Sequence, residues 1–269
     1  MSKANYNRNC LTENLLRKVL LRVDYAGVTD IIPWIDSIKK DFTIKYFGNY
    51  SRVQNNNINI TITNPNEVAP VSEMTKELIH RFSDSKFKGL KDSVQLDISN
   101  FYTTLLIDCK EYQNIDPYVD FLVDLLSLLL EYDSYIKIKR IGIRKWSGDI
   151  FPTEQEIFKV YEKKILNQYE YQGISMISQT YTDQFFRQSP DVKINNTRLY
   201  GKIVMDQQEQ VQVLLDMDGY VDEQIINKNQ YDFPRQLKDI LMGNINDYLF
   251  ELFKDSVQET YLHKHGKRI

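Results

Sequence analysis

Residues 134–151 read Ser-Tyr-Ile-Lys-Ile-Lys-Arg-Ile-Gly-Ile-Arg-Lys-Trp-Ser-Gly-Asp-Ile-Phe and show the clearest alternation in the chain. Ile136 and Ile138 share one parity, and Ile141 and Ile143 the other. One extra residue at Lys139/Arg140 returns all four isoleucines to a single face, which is the signature of a β-bulge. The stretch therefore predicts a bulged strand with an apolar inner face. Its outer face reads Tyr135, Lys137, Lys139 or Arg140, Gly142, Arg144 and Trp146.

The same period of two predicts strands at 15–25 (Leu21, Val23 and Tyr25 inward), 42–48, 58–63, 94–98, 101–109, 173–186, 192–194, 197–206 and 210–217. Turns are expected at Asn55-Asn56-Asn57, Ser99-Asn100, Asn195-Asn196 and Asp218-Gly219. Helical spacing predicts helices at 29–40, 73–83 and 116–132, the last opened by Asp116-Pro117. A capping box, Thr153-Glu154-Gln155-Glu156, opens another to about 167. Pro234 opens a long amphipathic helix to 262, ahead of a basic tail.

Strands arriving in hairpins predict an α+β fold: antiparallel sheets built from hairpins, packed by helices, with a long C-terminal amphipathic helix. Two lobes, 1–151 and 152–269, are expected to be continuous, because no Gly/Ser/Pro-rich linker divides them.

Composition narrows the function. The chain has 269 residues, 42% hydrophobic and 26% charged, with a net charge of −3. A nucleic-acid role would need a local basic patch. Cys10 and Cys109 make neither a disulfide framework nor a metal site and fit a reducing, cytoplasmic setting. The N-terminus lacks a signal-peptide core, and the apolar stretch 118–130 is too short for a bilayer, so no membrane role is expected.

Catalytic chemistry is not evident. The ten glycines form no phosphate loop, and no Gly-x-Ser-x-Gly elbow occurs. His80, His263 and His265 lack zinc-ligand spacing; His80 is expected on the surface of the 73–83 helix. Asp216-Met217-Asp218-Gly219 lacks the later ligands of a calcium loop. Asp97 and Asp108 lack the following Glu-x-Lys of a metal nuclease. No catalytic residue, metal or cofactor is expected. The 18 tyrosines, Tyr46, Tyr50, Tyr102 and Tyr112 among them, suit either half-buried sheet positions or an interface.

Three segments resemble a sporadically distributed, uncharacterised bacterial family with a mid-chain Arg-Ile-Gly-Leu-Arg-Tyr motif. They are Leu15–Tyr25, Arg140-Ile141-Gly142-Ile143-Arg144 and Ile245–Leu262. This chain departs from the family motif after Arg144, with Lys145-Trp146-Ser147. The resemblance implies a shared fold and, through its sporadic distribution, an antiphage-defence or toxin–antitoxin setting.

The expected function is a non-enzymatic binding or regulatory protein that recognises a partner from the same operon. The alternative is RNA or DNA binding through the basic face of 135–146. The candidate binding residues are Lys137, Lys139, Arg140, Arg144 and Trp146. Against both stands a plainly solvated strand whose cations pair with neighbouring carboxylates. A third reading is an enclosed ligand pocket between the sheet and the terminal helix. Self-association is compatible with all three.

Overall fold

The computed structural model describes residue 6 and residues 15–28, 30–61, 71–84, 87, 92–109, 114–165 and 177–265, with backbone alone over 56–61 and 71–76. Nine antiparallel strands form one sheet: β1 (Leu16–Ala26), β2 (Asn49–Thr61), β3 (Val71–Asp84), β4 (Ser93–Ile98), β5 (Tyr102–Asp108), β6 (Lys137–Phe151), β7 (Ser178–Arg187), β8 (Val192–Met205) and β9 (Gln208–Asp222). Their spatial order is β2-β3-β4-β5-β1-β6-β9-β8-β7. Six helices accompany the sheet among the described residues: α1 (Ile32–Lys45), α2 (Asp116–Tyr132), α3 (Glu154–Val160), α4 (Glu223–Asn229), α5 (237–256) and α6 (Glu259–His265). The α+β, hairpin-built expectation holds. The β6–β9 pairing, from Arg140↔Asp222 to Phe151↔Val211, joins the two halves of the chain into one sheet.

The sheet is buried on one face. Val19, Leu21, Val23 and Tyr25 of β1, Ile141 and Ile143 of β6, and Val213, Leu215 and Met217 of β9 are all buried. They join one core with Val119, Leu122, Leu125, Leu126 and Leu129 of α2 and Leu241, Ile245 and Leu249 of α5. The predicted bulge is present. Asp24 pairs with Arg140 and Tyr25 with Ile138, so Lys139 is the extra residue that keeps the isoleucines inward.

Several expectations are corrected. Residues 73–83 are not a helix but the greater part of β3, paired with β2 from Asn49↔Ser83 to Thr61↔Val71. A short apolar run fits both periods, and the strand ladder decides it. For the same reason Asn55-Asn56-Asn57 runs through β2 rather than turning, and 42–45 belongs to α1 rather than to a strand. Asn195-Asn196 lies inside β8; the hairpin into β9 turns at Asp206-Gln207, both with positive φ (50° and 63°). Asp218-Gly219 also lies within its strand, β9. A Cβ on Gly219 would stand 2.9 Å from Ile245 Cγ2 and 3.2 Å from Leu249 Cδ2, so this glycine admits α5 close to the sheet.

The capping box does not form, since Thr153 makes no side-chain cap bond, and α3 ends at Val160. The long terminal helix is interrupted. Val257 leaves the helix to bridge Tyr161, and α6 restarts at Glu259, so the tail is helical to His265. Within α5, residues Ile240–Asn246 form a π-helical stretch. Such a turn resets which side chains face inward. It ends with Asn246 buried and accepting a 2.5 Å hydrogen bond from Nζ of Lys145, also buried.

Candidate interaction face

The outer sheet face carries the candidate site. Neighbouring positions on it follow from register: Asp24, Arg140 and Asp222 form one row; Arg22, Gly142 and Tyr220 the next; then Leu20, Arg144 and Asp218; then Lys18, Trp146 and Asp216. Each row brings one residue from β1, β6 and β9.

The arginines do not bond the residues directly opposite. Arg140 stands opposite Asp222, yet Nη2 donates to Oδ2 of Asp218 at 2.8 Å. Arg144 stands opposite Asp218, yet Nε and Nη2 donate to both carboxylate oxygens of Asp216, at 2.8 and 2.5 Å. Both side chains therefore lean along the sheet in one direction. On the way the Arg140 guanidinium covers the Tyr220 ring at 4.3 Å, and that of Arg144 covers Trp146 at 4.8 Å. Arg22 also holds a carboxylate and faces a ring, but within its own strand and in the opposite direction: it donates to Asp24 at 2.6 Å and lies 4.7 Å from the Tyr102 ring.

Gly142 makes this possible. Arg140 must pass over the Gly142 row to reach Asp218. A Cβ there would lie 3.1 Å from Tyr220 Cβ and 3.2 Å from the Gly219 carbonyl oxygen. The glycine leaves a shallow recess lined by Leu20, Arg22, Arg140, Gly142, Arg144 and Asp218. Arg140 Nε is buried there without an acceptor. The Arg-Ile-Gly-Ile-Arg sequence thus has a local explanation: isoleucines inward, arginines outward, and a gap between them.

Five cations of this face are paired with carboxylates. Arg22, Lys139, Arg140, Arg144 and Lys193 pair with Asp24, Glu223, Asp218, Asp216 and Asp222 respectively. Burial pushes the Asp218 carboxyl above the ordinary carboxylate range, although Arg140 and Arg144 pull the other way. The bidentate bond to Asp216 holds Arg144 charged more firmly than usual. The lattice continues towards β3, where Arg81 donates to both oxygens of Asp97 at 2.8 and 2.7 Å.

Of the five sequence candidates, the fold gathers Arg140, Arg144 and Trp146. Lys139, the bulge residue, is drawn to Glu223 at the start of α4. Lys137 is the first residue of β6, paired in the ladder with Ala26, and its exposed side chain makes no hydrogen bond or ion pair among the described residues. The sequence reading did not single out Arg22, Asp24 or Tyr220, named Asp216 and Asp218 only against a calcium loop, and named Tyr102 only as one of four tyrosines suited to a sheet position or an interface. Its signal was there, as Asp216-x-Asp218-x-Tyr220-x-Asp222 alternates with Met217, Gly219 and Val221. Taking Asp218-Gly219 for a turn hid it.

His80 is not on the surface but buried in β3, with Nδ1 2.8 Å from the Tyr50 hydroxyl. Burial pushes the Cys109 thiol far up, so it is a poor nucleophile. No three potential metal ligands cluster among the described residues. No helix there is long and apolar enough to cross a membrane.

Comparison with known proteins adds little. No family model matches the sequence, and no curated protein matches it. Among solved structures the chain is similar to DynU16, a protein of the dynemicin biosynthetic locus, at 11% identity. The likeness covers 74% of this chain and 86% of that one with a TM-score of 0.21, which carries no argument.

Proposed function

We propose that this protein is a non-enzymatic binding protein whose open sheet face docks a partner protein. The observation that carries the reading is the row-by-row lattice of Arg22, Arg140 and Arg144 with their carboxylates and the rings of Tyr102, Tyr220 and Trp146. Arginine, tyrosine and tryptophan are the residues most enriched at the centres of protein interfaces. Here they are held in place before any partner arrives, so little side-chain entropy is lost on docking.

Charge balance separates this reading from the nucleic-acid alternative. A backbone-tracking face needs uncompensated cations. On this face the arginines already hold carboxylates. The family resemblance extends the proposal to a cytoplasmic partner encoded beside this chain, in a defence or toxin–antitoxin setting. Co-expression with the products of adjacent genes tests it. The wild type should co-purify with one of them, and Arg140→Glu should not; a partner retained equally by both removes the open face from the account.

A further inference from the structure

A second recess lies at one end of the sheet, where α2 runs out, β6 begins and α4 ends. It is separate from the Gly142 recess and does not depend on the docking proposal. Its volume is about 560 Å³. That is within the roughly 300–1,000 Å³ typical of small-molecule sites. Ile136 immediately precedes β6 and Ile138 is its second residue; with Ile226 from α4 and Phe233 from the segment after it they give an apolar wall. Lys137 and Asn227 are exposed on its lining. Glu223 also lines it, but its carboxylate is bound by Lys139.

The position of Lys137 decides what the recess would take. Alone of the cationic sequence candidates it takes no part in the ion pairs of the open face, and its side chain has no counter-ion among the described residues. Lys139, at the bulge, is bound to Glu223, while Lys137 lies on the lining of the recess. An apolar wall beside a single uncompensated ammonium is complementary to a molecule with an apolar or aromatic body and one anionic group. The body would lie against Ile136, Ile138, Ile226 and Phe233. The anionic group would meet the Lys137 ammonium. We propose that this recess is a binding site for a small amphipathic anion of that kind, carrying a carboxylate, sulfonate or similar head.

Two fluorescent probes of similar shape test it on the full chain. Anilinonaphthalene sulfonate carries an anionic head, and N-phenyl-1-naphthylamine is its neutral counterpart. The wild type should bind both saturably with one site. Lys137→Glu should weaken the sulfonate by about tenfold and leave the neutral probe nearly unchanged, because a like charge then faces the head. Asn227→Trp, a change at an exposed position, should block both. Circular dichroism and thermal unfolding confirm that each variant is folded. Absence of saturable binding to the wild type overturns the proposal. So does equal loss of both probes in folded Lys137→Glu, or wild-type affinity in folded Asn227→Trp.

Discussion

Arg144 grips both carboxylate oxygens of Asp216, two strand positions away from the Asp218 it faces, while its guanidinium covers Trp146. The bond is diagonal rather than direct, so it braces β6 against β9 along the sheet as well as across it. The pair is also partly wet: the Arg144 side chain is 44% exposed. Solvent screening therefore limits its value to about 0.5–1 kcal/mol. A double-mutant cycle of Arg144→Ala and Asp216→Ala, followed by urea unfolding, should give a coupling energy in that range.

Gly142 lies on the outer sheet face but is itself buried, and should tolerate substitution poorly. A larger side chain enters the path of Arg140 and meets Tyr220 and the Gly219 carbonyl. Gly142→Val is expected to lower stability by about 1–3 kcal/mol, an overpacking cost. Thermal unfolding measures it, and a midpoint equal to wild type would contradict the role given to the gap.

The buried contact between Lys145 and Asn246 links β6 to the π-helical turn of α5. Asn246→Leu removes an acceptor from a buried ammonium and should cost about 1–3 kcal/mol. Asn246→Asp supplies a charged acceptor and should retain more of the stability. Urea denaturation of the two variants side by side distinguishes a specific polar link from simple packing.

His80 predicts how stability varies with pH. Burial, with Arg52 nearby, holds its imidazole below the ordinary value of 6.5. The native state therefore binds fewer protons than the unfolded chain as pH falls below 6.5. Its contribution is fully present above that value and is lost as pH drops towards the lower native one. The free energy of unfolding should fall as pH drops from neutral through 6.5 and below, and His80→Gln should flatten that slope. Equal slopes in the two proteins would assign the acid sensitivity elsewhere.

The sequence was most legible where one period dominated. The β6 alternation with its phase slip located both the strand and the bulge, and Asp116-Pro117 located α2. It was least legible where local turn chemistry competed with tertiary pairing. Asn195-Asn196 and Asp218-Gly219 resemble turns, but long ladders on both sides hold them extended. At Gly219 the reason lies in α5, far along the chain, and no local pattern reveals it. The candidate site divides in the same way. Arg140, Arg144 and Trp146 could be read from one strand. Their partners on β1 and β9 become neighbours only through register. His80 shows the reverse error: a polar residue beside Arg81 looked exposed, whereas alternation in β3 turns it inward.

The most direct test of the account is the affinity of the purified protein for the adjacent-gene product that co-purifies with it, measured by calorimetry on wild type and on the paired variant Arg144→Ala, Trp146→Ala. Loss of an arginine and an aromatic anchor from an interface centre should weaken binding by about 30-fold or more, with modest dependence on salt. Wild-type affinity in the folded variant would contradict the account. So would the absence of any protein partner together with steeply salt-dependent nucleic-acid binding that the same variant abolishes.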